Sequence, residues 1–195
     1  MDNLLALPTG PLADASLAFV QKAESTSIAD HSVRSFLFAR LLAEQECCLN
    51  DAAYDEKLLF AACVMHDLGL GTLAAGQARF EVEGADLAAS VLTEHGIAAA
   101  DVDRVWEAIA LHSSLGIADR CGLLTYLTHK GVFTDAGYFT DLGDAMLQPI
   151  YARYPRPADD RFIQNAIVEH AARSRAAAPR YSIAAELLRR RQAGE

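Results

Sequence analysis

The sequence predicts an all-α fold folded as a single-domain helical bundle. Helical spacing of apolar residues runs almost from end to end, and no segment shows the two-residue alternation of a strand. The chain has 195 residues with 52% hydrophobic content, enough for one sizeable core and short for two ordinary domains. Residues 1–195 therefore read as one domain.

Leu12 to Ala23 forms the first expected helix. A second begins near Ser27 and carries Val33, Phe36, Leu37, Arg40 and Leu41 in the three- and four-residue steps of a buried stripe, with His31 in its first turns. A third starts after Asp55, runs through Leu58, Leu59, Ala62, Val64 and Met65, and stops at Gly69 and Gly71. The doublet His66-Asp67 thus falls at the C-terminal end of a buried helix. The glycine-spaced stretch from Gly69 to Gly84 reads as a loop, the expected lid over a site. Gly84 to His95 is the next helix, ended by Gly96. Asp101 is expected to cap another, in which Val102, Val105, Ile109 and His112 share a face. Leu123 to Thr134 continues toward Asp135 and Gly137. Residues 141–195 supply two or three more helices around the break Pro155-Arg156-Pro157, with an amphipathic tail after Pro179, and are expected to be peripheral.

No apolar run approaches the roughly 18 residues of a membrane span. The start, MDNLLALPTGPLADAS, has no basic region before its apolar residues, which argues against a secretory signal. A soluble, cytoplasmic protein is the expectation, with self-association left open. Cys47, Cys48, Cys63 and Cys121 contain no C-x-x-C pair and read as buried or half-buried reduced thiols. The formal net charge is -9, and the one basic cluster is Arg189-Arg190-Arg191. A nucleic-acid partner is excluded on that balance, and a small-molecule substrate is favoured.

The chemistry concentrates in AACVMHDLG. An ionisable pair in an apolar helix is costly to bury unless something binds it. Histidine and aspartate together offer nitrogen and oxygen, a mixture suited to zinc, iron, manganese or cobalt rather than calcium.

The frame around the doublet is H31-S-V-R34, H66-D67-L-G69, E83-G84-A85, A110-L-H112 and G131-V-F-T-D135-A-G137. Five separated pieces in this order, over about residues 28 to 140, resemble the HD-domain superfamily of metal-dependent hydrolases. HSVRSF, RFEVEGAD and VWEAIALHSS look most like its cyanamide hydratase branch. The resemblance implies a helical bundle around a central divalent transition metal, zinc first with iron, manganese, cobalt or nickel also suited, held by His31, His66, Asp67 and Asp135. Relatives with two metals carry a histidine where this chain has Phe80, so one metal is expected.

The remaining candidates are His112, Glu81, Glu83 and Lys130. Freed from a second metal, His112 is expected to contact substrate or move a proton; the alternative is a core histidine on the Val105–Ile109 face. Glu81 and Glu83 read either as site residues or as carboxylates attracted to a helix N-terminus. His95, His129 and His170 look structural. Arg34, Arg79, Arg120 and Lys130 are the only cations expected near the centre that could meet a phosphate.

A divalent metal at such a site lowers the pKa of bound water toward about 7, which points to hydration or hydrolysis. The leading expectation is a metal-dependent hydratase or hydrolase adding water to a small, largely uncharged, cyanamide- or nitrile-like molecule. The alternative is an HD-type phosphohydrolase acting on a nucleotide or other phosphomonoester.

Overall fold

The computed structural model describes residues 4–139 and 142–194. Among them every regular element is helical and no strand occurs: α1 (Pro11–Ala23), α2 (Thr26–Gln45), α3 (Glu56–Met65), α4 (Phe80–Glu94), α5 (Ala99–Leu111), α6 (Leu123–Asp135), α7 (Asp144–Arg153), α8 (Phe162–Ala171) and α9 (Ile183–Ala193). Single 3₁₀ turns lie at Cys48–Asn50, Leu68–Leu70 and Ala118–Arg120. The expected all-α fold class is the one observed. No helix among the described residues is long and apolar enough to cross a membrane.

Local chemistry sets the helix starts that matter for the site. Ser25 caps α2 by accepting the Ile28 amide, and Asp55 caps α3 by accepting the amides of Lys57 and Leu58. The centre is α2 against α6, the most extensive helix pair. It closes tightly because Gly131 has no side chain: a Cβ there would come within 2.2 Å of the Ser35 carbonyl oxygen and 2.8 Å of the Ala39 methyl. Phe36, Leu37 and Phe38 of α2 and all residues from Leu58 to Met65 of α3 are buried in the same core.

A second close approach fixes the turn after α3. A Cβ on Gly69 would stand 1.9 Å from the Phe80 carbonyl oxygen, and one on Gly84 would stand 3.2 Å from the His66 carbonyl oxygen. The first turns of α4 therefore rest directly on the doublet's backbone. α3 ends at Met65 rather than at the glycines, because the chain tightens into the 3₁₀ turn Leu68–Leu70.

Three further expectations need correction. α5 begins at Ala99 with Ala98 at its cap, and Asp101 lies in its first turn, paired with Arg104 at 2.9 Å. Cys47 is exposed, in a left-handed turn (φ 58°) just beyond α2, instead of buried or half-buried. The Gly69–Gly84 segment is no lid: α4 starts four residues early, and the loop before it is pinned to the body. The Glu83 carboxylate accepts the amides of Gly76, Gln77 and Ala78, while Ser174 Oγ and His170 Nε2 donate to the carbonyls of Gly76 and Ala78.

Candidate metal centre

His31 comes from the second turn of α2, while His66 and Asp67 leave the end of α3. His31, His66 and Asp67 are all buried and offer donor atoms within 4.8 Å of one another. His31 Nε2 is 3.8 Å from Asp67 Oδ2, and His66 Nε2 is 3.2 Å from the same oxygen.

The ring tautomers follow from what each Nδ1 meets. His66 Nδ1–H donates to the Cys63 carbonyl at 2.7 Å and His112 Nδ1–H to the Ile109 carbonyl at 2.6 Å. A carbonyl only accepts, so the Nε2 of each neutral ring carries its lone pair. His31 Nδ1–H donates to Asp135 Oδ2 at 2.6 Å. Three imidazole Nε2 atoms thus turn toward Asp67, with His112 Nε2 at 3.9 Å from Asp67 Oδ1.

This donor set fits a cation. His66 Nε2 and Asp67 Oδ2 are buried and form no hydrogen bond despite their proximity, and such atoms are costly unless something engages them. Burial would raise the Asp67 carboxyl, but His66, His31 and His112 hold it well below the usual carboxylate range. Burial likewise disfavours a charged His66, yet Asp67 outweighs it and raises that imidazole. Burial and the neighbouring His66 together push His112 down to about 4, against the opposing pull of Asp67 and Glu81, so His112 is neutral near pH 7.

Asp135, expected as a fourth ligand, lies outside this three-residue cluster. Both of its oxygens are engaged elsewhere. Oδ1 accepts from Arg34 Nε at 2.8 Å, and Oδ2 accepts from Arg34 Nη2 at 2.8 Å as well as from His31. Asp135 stands behind His31 and fixes its ring, the arrangement in which an outer carboxylate orients a metal-binding imidazole.

The four other candidates separate in the structure. His112 lines the cleft beside the cluster. Glu81 is fully buried just behind it, accepting from Arg79 Nη2 and Ser113 Oγ, both at 2.7 Å. Burial would raise its carboxyl, but Arg79, His112 and Ser113 hold it down. Glu83 is consumed by the loop amides. Lys130 points away from the cleft, with Nζ 3.5 Å from the centre of the Phe139 ring. Neither Glu83 nor Lys130 reaches the cluster.

A cleft of about 630 Å³ opens over the donors. Its inner walls are aromatic. The Phe162 ring lies 6.2 Å from that of His31 and the Phe80 ring 5.7 Å from that of His112, each edge to face. Much of its remaining lining comes from residues within 156–168, Phe162 among them, and 183–191, the region expected to be peripheral. That region also supplies cations missed in the sequence: Arg156, Arg161, Arg189, Arg190 and Arg191 line the cleft. The expected ones do not. Arg34 is fully buried and spent on Asp135, Arg79 is held by Glu81, and Arg120 does not line it.

Comparison with protein families finds a match to the model described as HD domain over residues 28–190. Comparison with curated proteins finds no match. The matched span includes the C-terminal helices as well as the pieces between residues 28 and 140.

Proposed function

This chain belongs to the HD domain family, and from that footing we propose that it is a metal-dependent hydratase or hydrolase adding water to a small molecule whose reacting group is uncharged. Membership supports metal-dependent hydrolytic chemistry in general. The finer reading rests on one observation: the inner chamber brings three imidazole Nε2 atoms and Asp67 together between Phe80 and Phe162, with its nearest buried cation, Arg34, consumed by Asp135. A nitrile-like group fits such a chamber, in line with the resemblance of HSVRSF, RFEVEGAD and VWEAIALHSS to cyanamide hydratases.

A divalent transition metal, zinc first, held by His31, His66 and Asp67 would supply Lewis acidity and an acidified water. The chain's own residues do the rest. Asp135 and Cys63 fix the donor rings through their Nδ1 atoms. Phe80 and Phe162 limit access of bulk water. His112 Nε2 takes a proton from the attacking water as the new C–O bond forms, and returns it to the substrate nitrogen; the resulting imidic acid rearranges to the amide. Glu81 is a positioning residue that holds Ser113 beside His112.

Phosphomonoester hydrolysis is the second reading. The observation that favours it is Arg156, whose Nη2 lies 3.6 Å from Asp135 Oδ1 while its side chain remains 46% exposed, a guanidinium within reach of a phosphate at the centre. The test is metal analysis of purified protein followed by turnover assays on cyanamide, simple nitriles and nucleoside monophosphates. Turnover of the first two classes supports the first reading; turnover of the monophosphates alone replaces it with the second. A protein that retains no transition metal sinks both.

A further inference from the structure

The chain carries a net charge of -9, with 17 lysines and arginines in all, yet five of its arginines line one cleft. All five lie in the stretch from Arg156 to Arg191, and one of them, Arg156, reaches to 3.6 Å from Asp135 Oδ1. Asp160 is the one acidic residue that this stretch adds to the lining.

These side chains are organised. Glu186 accepts from Arg189 Nε and Nη2 at 3.1 and 2.9 Å and from Arg190 Nε at 2.8 Å. Arg191 Nη2 donates to Asn165 Oδ1, and Asn165 in turn donates to Asp159 at 2.9 Å. One carboxylate thus holds two guanidiniums, leaving a positive excess, and α8 steadies the third. Arg161 stands at the start of α8 on the same wall. Arginine forks held in place lose less freedom when they grip an oxyanion, and their planar donors match carboxylate and phosphate oxygens.

The geometry points to an oxyanion subsite formed by Arg161, Arg190 and Arg191, with Arg189 held by Glu186 beside it, which takes a carboxylate or phosphate that the substrate carries away from its reacting group. This rests on reading the same cleft as the place where water is added. The substrate is then two-ended, with an uncharged reacting group in the inner chamber and an anionic tail at the rim. A neutral molecule lacking the tail reacts but is held poorly.

The test separates rim from centre by binding rather than turnover. Inorganic phosphate and succinate are titrated calorimetrically, at fixed ionic strength, into three preparations: the metal-loaded wild type, the metal-loaded triple variant Arg161→Gln/Arg190→Gln/Arg191→Gln, and His66→Ala, which lacks the metal. The expected result is at least a ~10-fold loss of affinity in the triple variant, since each charge-assisted contact is among the stronger hydrogen bonds, with His66→Ala close to wild type. A wild type that binds neither anion overturns the subsite, and so does unchanged affinity in the triple variant or loss confined to His66→Ala, which would place the anion on the metal donors. If no substrate of any class is turned over while the anions still depend on the arginines, the proposed reaction falls and the subsite stands. Melting temperature and metal content of the triple variant guard against misfolding.

Discussion

Asp135 accepts the Nδ1–H of His31 at 2.6 Å while Arg34 grips the same carboxylate through Nε and Nη2, both at 2.8 Å. Burial would raise the Asp135 carboxyl, but His31 and Arg34 hold it well below the usual range. All three residues are buried, so removing one leaves a charge without compensation. Arg34→Ala is expected to lower unfolding free energy by about 3–5 kcal/mol, read by denaturant titration. Asp135→Asn keeps the size of the side chain, so it should fold while metal affinity drops roughly 10–100-fold, as for other outer-shell partners. Unchanged affinity would remove Asp135 from the support of His31.

Metal content follows from the three-donor cluster. His66→Ala and Asp67→Ala should each lose the metal after dialysis, because the remaining donors no longer surround it. The wild type should hold close to one equivalent per chain. Phe80, fully buried with its ring facing His112, puts an apolar wall where a second metal would need a ligand. Two equivalents by elemental analysis would refute the single-metal reading.

His112→Gln is expected to fold, to keep its metal and to turn over some 10²–10⁴ times more slowly, the range for loss of a general acid–base group. Its Nε2 is 3.9 Å from Asp67 but it makes no part of the three-residue cluster. Loss of metal would make it a ligand; unchanged turnover with a lower melting temperature would make it a core residue.

Much of this was legible in the sequence, for identifiable reasons. The fold class followed from helical spacing, and the His66-Asp67 doublet from an ionisable pair set in an apolar helix, since such placements leave a mark in one dimension; His31 was picked out only through the resemblance. Asp135 shows the limit. Its ligand role came from resemblance, and its bonds to His31 and Arg34 across α2 and α6 could not be read from residue order. Glu83 looked like a site residue because a carboxylate near a helix start has no pattern that separates capping loop amides from chemistry. The arginine wall was seen only as a basic tail, because nothing in residues 156–191 reveals that α8 and α9 fold back over the donors. VWEAIALHSS contained Ser113, whose bond to Glu81 could not be read from order alone.

Gly131→Ala tests the α2–α6 crossing. The added methyl would sit 2.2 Å from the Ser35 carbonyl oxygen, a backbone atom that cannot swing aside, and Ser35 lies one turn from His31. The helices must separate, at a cost of about 1–3 kcal/mol or more. Metal affinity should fall with stability, because His31 on α2 and Asp135 on α6 are carried by the two helices being pushed apart. A variant as stable as wild type would contradict the packing.

Glu24, between α1 and α2, has both carboxylate oxygens shut from water and without a hydrogen-bond partner, although the residue as a whole is only half-buried. Burial, with a further push from the negative charge of Asp67, raises its carboxyl well above the ordinary 4.5. The sign follows from proton counting. Below about pH 4 the group is protonated both folded and unfolded and costs nothing. As the pH rises past 4.5 the unfolded chain releases this proton and the folded chain keeps it, so stability falls until the raised folded pKa is reached. Glu24→Gln removes that penalty while keeping the shape. It should therefore be more stable than wild type at pH 7 and equal to it near pH 4, compared by denaturant unfolding at both values. Lower stability of the variant at pH 7 would mean that the carboxylate is ionised and matched by a cation in the folded protein.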